Sequence, residues 1–155
     1  MIPLSDFSIK SIILKEILER GWRRMPAGLR NLYNPQFFIS DTFDRLASLF
    51  VGNSDIFVGL SSFSLHSIDD AKQHGAVTIL ESGSSHVLYQ TATLKEEYQK
   101  FGIKTVPFQT AHPKIIEKEL KEYEAADYIS IPSKFNKRTF LERGISEAKI
   151  IQIPY

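Results

Sequence analysis

Apolar and polar positions change their period along the chain. Ile9, Ile12, Ile13 and Ile17, with Trp22 beyond, recur close to every 3.6 residues, the spacing of one helix face. The pattern predicts an amphipathic helix over residues 8–21, stopped at Gly21 and followed by a break at Pro26 and Gly28. A second helix is predicted over 35–51, with Pro35 at its first position and Gly52-Asn53 ending it. Beyond Asn53 the period is replaced by short unbroken apolar runs over 55–60, 76–80, 128–131 and 149–153. Runs of that length between turn residues read as strands buried on both faces.

Helical segments separate the runs. They are predicted over 65–74, closed by Gly75, near 89–101, capped by Gly102, from Pro113 onward, and from Ser133 to Gly144. In the helix from Pro113 the apolar stripe is read as Ile116, Leu120 and Tyr123. Lys114, Glu117, Lys118, Lys121 and Glu122 are then expected to face water. Strands alternating with helices predict an α/β fold: a parallel, Rossmann-like sheet flanked by helices. The chain divides into a helical lead-in over 1–54 and β/α repeats over 55–155. It reads as a single domain that is incomplete, because the last strand delivers its carboxyl end just before the sequence stops.

Composition narrows the function classes without choosing one. The 155 residues are 43% hydrophobic and 24% charged, an ordinary globular balance. Lys+Arg total 19 against 18 Asp+Glu, so nucleic-acid binding is not expected. Charge is nonetheless uneven. Residues 1–34 carry Lys10, Lys15, Arg20, Arg23, Arg24 and Arg30 against Asp6, Glu16 and Glu19, a local excess of +3. The helix at 8–24 therefore has two readings that stay open: a core-facing helix with a charged exterior, or peripheral contact with an anionic membrane surface. Cysteine is absent, which excludes thiolate metal sites and cysteine nucleophiles and fits a reducing compartment. The expected location is cytoplasmic, peripheral at the inner membrane face if the second reading holds.

Ligands of parallel α/β sheets bind outside the carboxyl ends of the strands. Three segments lie there: Ser61-Ser62-Phe63-Ser64, Glu81-Ser82-Gly83-Ser84-Ser85-His86 and Pro132-Ser133-Lys134. The middle one is richest. Gly83 lets backbone approach a ligand, Ser82, Ser84 and Ser85 offer hydroxyls, Glu81 can accept from hydroxyls, and His86 can orient a sugar hydroxyl or a phosphate. Neither a phosphate loop nor a nucleophile elbow is present. His66 and His74, eight apart, make no metal pair, and His112 before Pro113 reads as a helix cap. Among the acidic residues of 117–124, lysines alternate, so a solvated helix face is expected.

Several strings together resemble a known family. Residues 75–90, Gly-Ala-Val-Thr-Ile-Leu-Glu-Ser-Gly-Ser-Ser-His-Val-Leu-Tyr-Gln, are similar to the middle of the amino-terminal domain of family 4 (group 1) glycosyltransferases. The likeness continues through Leu94-Lys95-Glu96-Glu97-Tyr98. It is strongest from His112-Pro113 to Phe135, with Ala126-Asp127-Tyr128-Ile129 and Pro132-Ser133, and it extends to Ile153-Pro154-Tyr155. The resemblance implies one half of a GT-B fold, the acceptor-side domain, inactive alone. A carboxyl-terminal domain would bind the nucleotide-sugar donor, and the sugar would pass with retention to a carbohydrate or lipid-linked acceptor hydroxyl. It further implies no metal and no cofactor beyond the donor as co-substrate, and a catalytic role for His86 beside a substrate-binding loop of Glu81, Ser82, Gly83, Ser84 and Ser85. The family's opening strand and its glycine-containing loop are not found here. The alternative is a non-catalytic Rossmann-like binding or interaction module.

Overall fold

A computed structural model describes residues 11–26, 28, 34–103 and 110–154. Its elements, in chain order, are α1 (Ile13–Arg24), α2 (Gln36–Ser48), β1 (Ile56–Leu60), α3 (Leu65–Gln73), β2 (Val77–Glu81), α4 (Val87–Lys100), α5 (Pro113–Ala125), β3 (Tyr128–Ile131), α6 (Lys134–Leu141) and β4 (Ile150–Gln152). A single turn of 3₁₀-helix, Glu147–Lys149, leads into β4. The protein has an α/β fold: a four-stranded, all-parallel, Rossmann-like sheet flanked, among the described residues, by six helices.

The sheet runs in sequence order, β1-β2-β3-β4. Val58 pairs with Ile79, Ile79 with Tyr128, and Ser130 with Ile151. Every crossover therefore steps the same way. Right-handed crossovers that all step one way place their helices on one face. Burial follows that rule. Leu80, Ile129 and Ile131 join Ile68 of α3, Val87 of α4, Tyr123 of α5 and Phe140 of α6 in one buried cluster. The alternate positions point to the other face, where Ile56, Val58 and Leu60 are 60%, 58% and 59% exposed and Val77 and Tyr128 are also exposed. The strands were expected to be buried; β3 is buried from Ile129 to Ile131, whereas β1 exposes Ile56, Val58 and Leu60.

Local signals set the element ends. Gly75, Gly102 and Gly144 adopt φ of 85°, 64° and 84° just after their helices, a backbone region that only glycine enters without steric cost. The Ser133 hydroxyl accepts from Asn136 N–H at 3.1 Å, and His112 Nδ1 accepts from Lys114 N–H at 3.2 Å, so both expected caps are present. Several boundaries move, with α2 ending at Ser48 and α4 beginning at Val87. α1 runs through Gly21 to Arg24, since an exposed glycine lowers helix stability without ending the helix. Pro35 is the N-cap of α2 rather than its first residue. At the amino edge of the sheet, Asp127 accepts from Thr78 N–H at 2.9 Å and pairs with Lys72 at 2.8 Å.

Candidate functional site

The carboxyl edge of the sheet carries two serine-rich turns side by side, and they are built differently. The first, Ser61 to Ser64, links β1 to α3. Ser62 is the one non-glycine residue with positive φ among the described residues, at 75°. That conformation is costly for serine and persists only where the surroundings impose it. Here they do. Ser62 N–H donates to Glu122 Oε2 at 2.7 Å and Ser64 N–H donates to Glu122 Oε1 at 2.9 Å. The Ser62 hydroxyl donates to Glu119 Oε1, and the Ser40 hydroxyl donates to the Ser62 carbonyl.

Beside this turn the amino end of α3 is capped from another helix. Ser64 does not cap it. Asp44 of α2 accepts from His66 N–H and Ser67 N–H, each at 3.0 Å, and from the Ser67 hydroxyl at 2.8 Å. Its charge is balanced by Lys118 of α5, whose Nζ lies 2.7 Å from Asp44 and 3.7 Å from Asp41. Asp41 in turn pairs with His66 Nε2 at 3.0 Å. Lys118, Glu122 and Asp44 are all buried. Burial pushes the Glu122 carboxyl up to about 7, against the pull of the two backbone donors and of Lys118. Gly59 is fixed by the same packing, because a Cβ there would stand 2.6 Å from Ser64 Cβ.

These residues overturn one sequence expectation. Lys118 and Glu122 were expected to face water; instead the buried stripe of α5 is Ile115, Lys118, Glu122 and Tyr123. The helical period was legible and its phase was not. The face turned inward meets Asp44 and two backbone N–H groups, so ionic partners suit it better than apolar ones. Only Glu117 and Lys121, 2.7 Å apart, form the exposed pair that the spacing predicts.

The second turn, Ser82 to Ser85, links β2 to α4 and lies next to the first. Ser82 is buried and tied to β3, its N–H donating to Ser130 O at 2.8 Å. Gly83 and Ser84 are exposed, and Glu81 and Ser85 half-buried. Among the described residues the hydroxyls of the turn make long contacts, Ser82 Oγ to Ser84 O at 3.4 Å and Ser84 Oγ to Ser85 O at 3.3 Å. The turn is thus anchored at its base and open at its tip.

His86 is placed apart from its neighbours. Its ring is 2% exposed, packed 5.0 Å from Tyr123 and 5.1 Å from Phe140 between ring centroids. Nδ1 accepts from Leu88 N–H at 3.2 Å, so the imidazole is the N-cap of α4, and the His86 N–H donates to Thr139 Oγ1 at 3.0 Å. Burial, with Arg143 nearby, lowers its pKa to about 4, which keeps the ring neutral at ordinary pH. The imidazole therefore sits in the core and caps α4 at the base of the exposed tip. Ser133 is a helix cap as expected.

Two further features frame the turns. A cavity of about 820 Å³ lies against β1, with Phe43 of α2, Phe50 beyond that helix, Ile12, and Lys15 of α1 among its lining. No group of three His, Asp or Glu residues able to hold a metal ion occurs among the described residues. Comparison with protein-family models, with curated proteins and with solved structures yields no match.

Proposed function

We propose that this chain forms the acceptor-side wall of a sugar-transferring enzyme, with the nucleotide-sugar donor held by a second domain across a cleft. The observation that carries the reading is the open tip at Gly83-Ser84. It lies at the carboxyl end of an interior strand, where ligands of parallel α/β sheets bind, beside a turn that is locked shut. The likeness of residues 75–90 and 112–135 to glycosyltransferase sequence supports it. The exposed apolar side chains of Ile56, Val58 and Leu60 on β1 suit packing against further polypeptide.

On this reading the hydroxyls and amides of Gly83, Ser84 and Ser85 bind acceptor hydroxyls, with Glu81 accepting at the base of the loop. His86 orders the loop rather than exchanging a proton with substrate, because its ring is buried and neutral. Transfer breaks the bond between the anomeric carbon and the phosphate oxygen and forms one to the acceptor hydroxyl oxygen, whose proton leaves with the departing phosphate. The positive groups that stabilise the departing phosphate belong to the donor domain.

The test is an amide-resonance titration of the full chain with a panel of oligosaccharides and nucleotide-sugars. Shifts centred on Gly83, Ser84 and Ser85 with oligosaccharide, and transfer once a donor-binding domain is supplied, are the expected results. Saturable shifts confined to other surfaces, or no shift with any sugar, reject the reading.

A further inference from the structure

We propose that α1 is a membrane-docking helix that lies on an anionic lipid surface. The inference stands independently of the sugar-transfer reading. Among the described helices α1 segregates apolar from charged positions most strongly, yet none of its twelve residues is buried. A helix whose apolar stripe met the core would bury that stripe. Instead Ile13 and Ile17 are 64% and 60% exposed, and Leu14 is exposed beside them.

The helix is held to the body by its other side. Leu18 and Trp22 are half-buried, and α1 packs on α2. Lys15 is drawn inward too, 3.2 Å from Glu19 and 5.3 Å from the centroid of the Phe63 ring. The outward side is thus sorted along its length. Ile13, Leu14 and Ile17 occupy the amino-terminal half, and Arg20, Arg23 and Arg24 the carboxyl-terminal half. By angular position Arg20 and Arg24 continue the stripe begun by Ile13 and Ile17.

The charges select the occupant. Arg20 and Arg23 make only long, exposed pairs, at 3.6 Å to Glu16 and 3.8 Å to Glu19, and Arg24 has no carboxylate partner among the described residues. Exposed pairs of that kind leave the arginines available to other anions. An apolar partner protein would be served by the isoleucines alone and gains nothing from three arginines. A bilayer with acidic headgroups uses both, the isoleucines in the acyl boundary and the arginines among the phosphates. No described helix is long and apolar enough to cross a membrane, so contact through α1 is lateral.

Cosedimentation of the full chain with phosphatidylglycerol-containing and with pure phosphatidylcholine vesicles tests this. Binding to the acidic vesicles only, weakened by salt, is expected. Each of Arg20→Gln, Arg23→Gln and Arg24→Gln should weaken it about fivefold. Ile13→Asp with Ile17→Asp should abolish it while the circular dichroism spectrum and thermal midpoint stay at the parent's values, since neither side chain is buried. Absence of binding to acidic vesicles, equal binding to both vesicle types, or binding unchanged by the double aspartate variant overturns the proposal. So does a self-associating chain that the aspartates render monomeric and that binds no lipid, which would make the occupant a second copy.

Discussion

The turn after β1 and the turn after β2 are close in sequence character and opposite in state. Both are short and rich in serine, and both leave the carboxyl end of a strand for the amino end of a helix. The first is closed by side chains from two distant helices: Glu119 and Glu122 of α5 and Ser40 of α2. The second is held at its base by its own helix cap and by Thr139 of α6, and its tip at Gly83-Ser84 meets solvent. What decides whether a turn is structural or available is therefore the element packed across from it. The carboxylates that freeze the Ser62 turn stand 57 and 60 residues away.

The largest effect is expected where the closed turn draws on buried charge. Lys118→Met removes the ammonium and leaves the buried Asp44 carboxyl, which still caps α3, without its partner. Breaking one partner of a buried pair costs about 3–5 kcal/mol. Urea denaturation should show a fall of that size. Amide exchange should speed at His66 and Ser67, which Asp44 caps, before it speeds at Leu88. A variant that loses less than about 1 kcal/mol would mean that water, rather than Lys118, balances Asp44.

Glu122→Gln comes next. One carboxylate now accepts two backbone N–H groups; an amide offers one acceptor and turns its own donors toward the other N–H. A loss of about 2–3 kcal/mol is expected, for one buried donor left unpaired and one repelled. The pH dependence identifies the group. Its folded pKa of about 7 lies above the ordinary 4.5, so the folded state binds the extra proton between those values. The stability that follows is full below 4.5 and lost as pH rises through about 7. Glutamine does not titrate. The gap between parent and variant should therefore be wider at the acid end of that window than above it.

How far this contrast could be read from the chain is instructive. The parallel α/β order was legible, because four short apolar runs alternate with helices and the glycines after them, as at Gly75 and Gly144, mark helix ends. The His112 and Ser133 caps were legible for the same local reason. The role of Lys118 and Glu122 was not, because a helical stripe shows its period but not which way it turns. The signal available was that Ile115, Lys118 and Glu122 share one side of α5 with Tyr123. Asp44 lay inside a helix and gave no sign that it caps a different one. His86 stood out as a lone histidine in a serine loop. Its place in the core follows from Tyr123 and Phe140, which only the fold brings to it.

His86→Asn separates the two contributions of that ring. Asparagine keeps an N-cap acceptor for Leu88 N–H but leaves space between Tyr123 and Phe140, a loss of about 2 kcal/mol. The sign of its pH dependence is opposite to that of Glu122. The folded pKa of about 4 lies below the ordinary 6.5, so the unfolded chain takes up the proton first. The stability contributed by the neutral ring is full above 6.5 and lost as pH falls toward 4. The difference between parent and His86→Asn should shrink across that interval. A difference that stays constant would place the ring in solvent and remove it as the anchor of the second turn.

The smallest change in stability should come from the residue that matters most to the open turn. Ser84 is exposed, and its hydroxyl contact among the described residues is long at 3.3 Å, so Ser84→Leu should alter the unfolding free energy by less than about 0.5 kcal/mol. Ser62→Leu, one turn away, should cost several times more, because it removes the hydroxyl bond to Glu119 and puts a larger side chain at a φ of 75°. The binding readout should invert that order. Oligosaccharide-induced shifts should vanish in Ser84→Leu, which stays folded, and survive in whatever fraction of Ser62→Leu remains folded. If Ser84→Leu binds sugar as the parent does, the open tip is an ordinary surface turn. The carboxyl edge of the sheet would then hold two structural turns, one buried and one bare.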